Sequence, residues 1–133
     1  MFLFIFYSLI SYAPSTNCIY IAPGARIENP IDYSYDRLIE AVSRYESNNI
    51  DSAYNEKEGA VGRLQIRLCR IEHYNRLTGK NYTHEDMYDF KKAREVFLYF
   101  AKGKTYEQAA KNWNGSGPMT ITYWEKVKSL IAT

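Results

Sequence analysis

The feature that most constrains this fold is an apolar pattern of helical period that ends at a polar stretch with turn-forming residues. Leu38, Ile39 and Val42 recur at the spacing of one helix face, so they predict a helix over residues 36–47. The stretch 48–61 is rich in Asn, Asp and Glu and also contains glycine, which predicts turns with a small hairpin. The chain is therefore expected to leave its first helix through an irregular or β segment.

Four later segments repeat the helical spacing, and several carry recognisable start or stop signals. The predicted helices are residues 63–77 (ended by Gly79), 89–101, 105–111 (opened by a capping box of Thr105 and Gln108) and 120–131, with a short turn between Thr83 and Asp86. The segment NGSGP separates the last two helices. These patterns predict a mainly α fold, of the α+β kind, with a small irregular or β element after the first helix.

Bulk composition sets broad limits on size and partners. A length of 133 residues suits one domain with a hydrophobic core. The net charge of +2 gives no reason to expect a nucleic-acid partner. The thirteen tyrosines are an unusual number, and each offers a flat apolar ring with a hydroxyl at its rim. Such side chains suit stacking on sugar rings, although a Tyr-rich core and surface would account for them equally well.

The first 32 residues differ in character from the rest of the chain. Residues 2–10 form an apolar run that is too short to span a bilayer, and small residues follow it. The pattern resembles a secretory signal that lacks the usual preceding Lys or Arg. We therefore predict a signal peptide over 1–18, a linker or arm over 19–32 and a domain over 33–133. The protein is expected to be exported to the periplasm or the extracellular space, or to stay membrane-associated through a retained N-terminal segment.

Glu46 is the first candidate for a chemical role. It lies seven residues after Ile39 and four after Val42, which places it on or beside the buried helix face. Burial raises the pKa of a carboxyl, and a carboxyl that stays protonated near neutral pH can act as a general acid. The polar stretch that follows the helix would form one wall of a cleft beside Glu46, where the Gln65 amide could bind polar groups. The alternative is that Glu46 is an exposed last-turn residue and Gln65 a surface residue.

Three sequence elements, in this order, resemble a known family. They are Glu46 and Ser47 at a helix end, Gly59 to Gly62 followed by Gln65 and Ile66, and Trp113, Asn114 and Gly115. Together with the segment YWEKV, they resemble the lysozyme-like transglycosylase domain of the soluble lytic transglycosylase and goose-type lysozyme group, over about residues 36–128. Arg63 departs from this pattern because the family usually has an apolar residue there, and Trp113 stands where tyrosine is common.

The resemblance implies both a fold and an activity. It implies a lysozyme-like domain that cuts the β-1,4 bond between N-acetylmuramic acid and N-acetylglucosamine in peptidoglycan. Glu46 would act first as acid and then as base, and the muramoyl 6-hydroxyl would attack to leave a 1,6-anhydro end. The residues implied to bind substrate are Ser47, Gln65, Ile66, Trp113, Asn114 and Tyr123. We expect no metal or cofactor, a monomer, and peptidoglycan strands as partner, with secretion or cell-wall machinery as a further one.

Two other functions stay open at this point. A hydrolytic muramidase would use the same Glu46 with water. Asp51, Glu56 and Glu58 in the following loop could each reach the cleft, and Asp51 could orient that water. A non-catalytic glycan-binding module would keep the cleft without the chemistry. Neither alternative calls for a metal, and the two histidines and two cysteines show no metal-ligand spacing.

Overall fold

The computed structural model describes residues 34–133, and this part of the chain is mainly helical, as predicted. Its elements are α1 (Asp36–Ser47), β1 (Tyr54–Asn55), β2 (Ala60–Val61), β3 (Ile66–Arg67), α2 (Leu68–Thr78), a 3₁₀ helix (Glu85–Tyr88), α3 (Phe90–Ala101), α4 (Tyr106–Asn114) and α5 (Met119–Ile131). The predicted signal peptide 1–18 and the arm 19–32 lie outside the described residues.

A small antiparallel sheet in the order β1-β2-β3 follows α1, which confirms the predicted β element. Val61 at its centre pairs with Tyr54 on one side and Ile66 on the other. The predicted helix 63–77 is wrong at its start, because β3 occupies residues 66–67 and α2 begins only at Leu68. The backbone at Gln65 explains the difference, because its φ of +51° cannot be accommodated in an α-helix.

Helix ends follow the predicted capping signals. Gly79 ends α2 in the left-handed conformation with φ +73°. Thr105 and Gln108 form the predicted capping box, in which each side chain bonds the backbone N–H of the other residue. The helix that they open continues beyond the predicted end at residue 111, to Asn114. The corner between α4 and α5 therefore begins three residues later than the sequence pattern indicates.

The core lies where α5 packs on α1 and α4, with α3 packed on α4. Its largest fully buried side chains include Leu38, Val42, Leu64, Ile66, Ile71, Tyr74, Met87, Val96, Phe97 and Val127. Trp113 on α4 packs on Phe97 of α3 with their ring centres 4.7 Å apart, and its indole N–H donates to the Leu64 carbonyl oxygen. This contact anchors the segment between β2 and β3 to the helical core.

The segment between β2 and β3 also packs closely on the 3₁₀ helix, and this packing requires a glycine. Gly62 has φ +79°, and a Cβ atom built on it would overlap the backbone carbonyl of Met87. Gly59 also has a positive φ, +58°, but a Cβ atom there would meet no atom within 4 Å. The two glycines thus share a left-handed backbone and differ in the space around them.

We expect Gly62→Ala to lower the free energy of unfolding by roughly 2 to 4 kcal/mol, because left-handed strain and a backbone clash add. The matched Gly59→Ala variant should lose only about 1 kcal/mol, since it carries the strain alone. Urea denaturation of both variants and the parent protein checks this difference. Equal losses in the two variants would contradict the close packing at Gly62.

Candidate active site

A cleft of about 410 Å³ opens among the C-terminal end of α1, the small sheet, the start of α2 and the corner between α4 and α5. Six of the seven sequence-predicted site residues line it: Glu46, Gln65, Ile66, Trp113, Asn114 and Tyr123. They come from four separate segments of the chain, which the fold brings to one place. The seventh residue, Ser47, is not among the lining residues.

A second depression of about 470 Å³ adjoins this cleft on the side of β1. Glu46, Asn55 and Gln65 line both depressions, and Tyr54 lines the second with its ring exposed. Glu46 therefore stands where two concave surfaces meet. An extended ligand that crosses this junction would have units on both sides of the carboxyl.

The Glu46 carboxyl lies partly buried at the end of α1, so the alternative of an exposed last-turn residue is wrong. Burial raises the pKa of Glu46 from its ordinary 4.5 to about 7. The hydrogen bond from Tyr123 opposes this rise, and the charges of Glu58 and Arg67 act in opposite directions. A large fraction of Glu46 is consequently protonated at neutral pH, as a general acid requires.

Tyr123 connects this acid to α5. Its hydroxyl donates to Oε1 of Glu46 at 2.7 Å, and the residue itself is buried. Burial, followed by the charge of Glu46, raises the pKa of Tyr123, so its hydroxyl stays a hydrogen-bond donor. The Tyr45 ring packs edge-on against the Tyr123 ring at 5.0 Å between centres. The acid is thus held in place by a ring that is itself fixed by packing.

Gln65 stands beside Glu46 in a conformation that is uncommon for a residue other than glycine. Its φ of +51° carries strain on the order of 1 kcal/mol. The side-chain Nε2 donates to the Gly62 carbonyl oxygen at 3.0 Å, and no hydrogen bond within residues 34–133 involves its Oε1. Gln65 therefore offers an amide oxygen to a ligand at the junction of the two depressions.

Ser47 holds the segment between β2 and β3, the return segment, in place. Its Oγ donates to the Arg63 carbonyl oxygen at 2.8 Å and accepts from the Ile50 N–H at 3.2 Å. These bonds tie the end of α1 to the segment that leads into Gln65. In the structure, Ser47 supports the shape of the cleft wall from behind.

The other predicted site residues occupy different depths. Ile66 is almost fully buried and Trp113 packs in the core, and both residues line the cleft. Asn114 is exposed at the rim, and within the described part of the chain its side chain makes no hydrogen bond, including none to Glu46. Its amide is therefore accessible to a ligand.

The three loop carboxylates differ in where they lie. Glu56 lines the second depression, which Glu46 also lines. Asp51 forms two hydrogen bonds with Arg63, at 2.8 and 3.1 Å, and lines neither depression. The Arg63 guanidinium also covers the Phe90 ring, so this departure from the family pattern adds no charge to the cleft. Glu58 does line the cleft, where it pairs with Arg67 at 2.8 Å.

Two cationic side chains of the cleft, Arg67 and Arg70, are not among the sequence-predicted site residues. They are spaced three apart, a spacing that would place both on one face of a helix start. Both fall within the predicted helix over 63–77, and two arginines on one helix face do not by themselves distinguish a cleft from a solvated face. Within residues 34–133, no group of three or more His, Cys, Asp or Glu side chains is placed to hold a metal ion.

Burial raises the pKa of Glu46 in the folded state from 4.5 to about 7. The free energy of unfolding should therefore fall as pH rises from about 4.5 to about 7, because the unfolded state loses this proton first. We expect Glu46→Gln to be more stable than the parent above pH 7, by on the order of 3 kcal/mol. This difference in stability should disappear below about pH 4, where Glu46 is protonated in both the folded and the unfolded state. Urea denaturation across this pH range checks the sign, with Glu72→Gln on an exposed face of α2 as control. A pH-independent difference would contradict the raised pKa.

Comparison with protein-family models, curated proteins and solved structures gave no match for this chain. Within residues 34–133, no helix combines the length and apolar character needed to cross a membrane.

Proposed function

We propose that this chain is an exported lysozyme-like domain that cleaves the β-1,4 bond between N-acetylmuramic acid and N-acetylglucosamine in peptidoglycan, as a lytic transglycosylase. The observation that carries the proposal is the Glu46 carboxyl, whose pKa burial raises to about 7, at the junction of two depressions. A sugar on each side of that junction would present the glycosidic oxygen to the acid.

Bond cleavage begins with proton transfer from Glu46 to the glycosidic oxygen. The bond between that oxygen and the anomeric carbon breaks, and the leaving sugar departs with the proton as a free 4-hydroxyl. Glu46 becomes a carboxylate, which the Tyr123 hydroxyl stabilises by its hydrogen bond. The same side chain therefore changes from acid to base within one site.

The second step supplies Glu46 with a new proton. The Glu46 carboxylate takes the proton of the muramoyl 6-hydroxyl, and the 6-oxygen attacks the anomeric carbon to close the 1,6-anhydro ring. No water is consumed, and one carboxyl is sufficient for both steps. Asp51 supports this route, because its pairing with Arg63 keeps it out of both depressions.

One observation favours hydrolysis as a second candidate. Glu58 lines the same cleft as Glu46, and hydrolytic glycosidases use two carboxylates. Its Oε2 is already engaged in a 2.8 Å ion pair with Arg67. We therefore rank hydrolysis second.

Sugar recognition would use the polar and aromatic groups around the acid. The Gln65 Oε1 and the exposed Asn114 amide can bond hydroxyl and acetamido groups. Tyr54, with 59% of its surface exposed in the second depression, offers a face for stacking on a sugar ring. These groups lie on both sides of Glu46, as binding of a continuous strand requires.

Mass spectrometry of soluble products from purified peptidoglycan tests the proposal directly. We expect 1,6-anhydro-muropeptides from the parent protein and none from Glu46→Gln. Reducing-end products would instead establish a hydrolase, and their loss in Glu58→Gln would identify its second carboxylate. Glycan binding without any product would favour the non-catalytic binding module.

The hydrogen bond from Tyr123 lowers the pKa of Glu46, so Tyr123→Phe should raise that pKa further. We expect the alkaline limb of the kcat/KM profile to move to higher pH and kcat to fall by about tenfold, because the new carboxylate loses a donor. Tyr45→Phe, which keeps the ring packed on Tyr123, should leave both quantities unchanged. An unshifted limb in Tyr123→Phe would contradict the role given to this bond.

A further inference from the structure

One wall of the cleft carries positive charge that the proposed chemistry does not use. Arg67 ends β3 and Arg70 lies in the first turn of α2, and both line the cleft. Glu58 pairs with Arg67. Within the described residues, no carboxylate pairs with Arg70, and Glu46 is neutral whenever it is ready to act as an acid. The cleft therefore has an uncompensated cation at the moment of reaction.

The Arg70 guanidinium is fixed in position before any ligand arrives. Its Nη2 donates to the carbonyl oxygens of Asn112 and Trp113, at 3.1 Å each. Its Cζ lies 4.8 Å from the centre of the Trp113 ring and 5.0 Å from that of Phe100. A partly buried, immobilised guanidinium loses little conformational entropy when it binds an anion.

These contacts use only some of the N–H donors of Arg70. Nη2 satisfies two carbonyls of the last turn of α4, which is a structural role. A guanidinium has five N–H donors, and within residues 34–133 no hydrogen bond uses Nε or Nη1 of Arg70. The remaining donors belong to a side chain that lines the cleft.

We propose that Arg70, with Arg67 beside it, forms a subsite for a carboxylate of the substrate. On the proposed function, on which this inference rests, that carboxylate is either the lactyl group of a muramoyl sugar or an acidic group of its peptide stem. A guanidinium binds a carboxylate through two parallel N–H bonds, which fixes orientation as well as charge. Arg67 can contribute when it exchanges Glu58 for the ligand. The cleft would thereby distinguish muramoyl glycans from neutral chitin-type glycans.

Binding measured without turnover tests the subsite. In a Glu46→Gln background, calorimetry gives the Kd for three ligands: a peptide-free tetrasaccharide with free lactyl carboxylates, the same tetrasaccharide with peptide stems, and chitotetraose, which is neutral. Arg70→Met should weaken binding of a carboxylate-bearing ligand by on the order of tenfold or more and leave chitotetraose unchanged. Arg70→Lys should lie between, because it keeps the charge without the planar fork.

Two further variants separate this role from a structural one. Arg76→Met removes a charge from an exposed position on α2 outside the cleft, and it should change no Kd. Arg67→Met leaves every contact of Arg70 to α4 intact, so it tests the same ligand preference even where Arg70→Met does not fold.

The outcomes are distinct. Selective loss for the peptide-free glycan identifies the lactyl carboxylate, and loss confined to the stem-bearing glycan identifies the stem. Equal loss for charged and neutral ligands, or no loss for any, overturns the carboxylate subsite and leaves the proposed function standing. Failure of all three glycans to bind the protein with both arginines intact overturns the proposed function as well.

Discussion

Packing of α1 against α5 is the interaction on which the candidate site depends, because Glu46 and Tyr123 come from these two helices. The apolar stripe of α1 that includes Leu38 and Val42 is fully buried, and the same stripe carries Glu46 at its end into a partly buried position. Desolvation alone would disfavour the carboxylate strongly, and the Tyr123 hydroxyl reduces that penalty. The balance leaves the pKa near neutral, where a carboxyl can both give and accept a proton.

The second wall of the site depends on backbone conformations that the helices do not supply. Gly62 allows the return segment to approach the 3₁₀ helix, and Ser47 ties that segment to the end of α1. Between these two fixed points the chain turns at Gln65 with φ +51°, and this places its amide beside the acid. Backbone strain of this kind persists only where the surroundings impose it, and it is common at functional sites. The conformational cost at Gln65 is thus met by the packing around it.

The extent to which sequence predicts this structure depends on whether the deciding interactions are local. The helix over 36–47 follows from the spacing of apolar residues within one segment. The capping box of Thr105 at the start of α4 likewise follows from side-chain chemistry within one segment. The start of α2 does not, because the left-handed turn at Gln65 is set by sheet pairing and by the bond from Ser47, which are contacts between segments. The same holds for the site: Glu46 could be chosen from its helix face, whereas its pairing with α5 required the tertiary packing.

The carboxyl groups at the end of α1 and in the loop after it differ in their bonding partners. Asp51 and Glu58 each pair with an arginine, Asp51 with Arg63 and Glu58 with Arg67. Glu46 instead has the neutral Tyr123 as its hydrogen-bond partner, and its proton remains available near pH 7. Arg70 lies in the same cleft without being a direct hydrogen-bond partner of Glu46. Burial outweighs the opposing charge of Arg67, so Glu46 keeps its raised pKa in a cleft that two arginines also line.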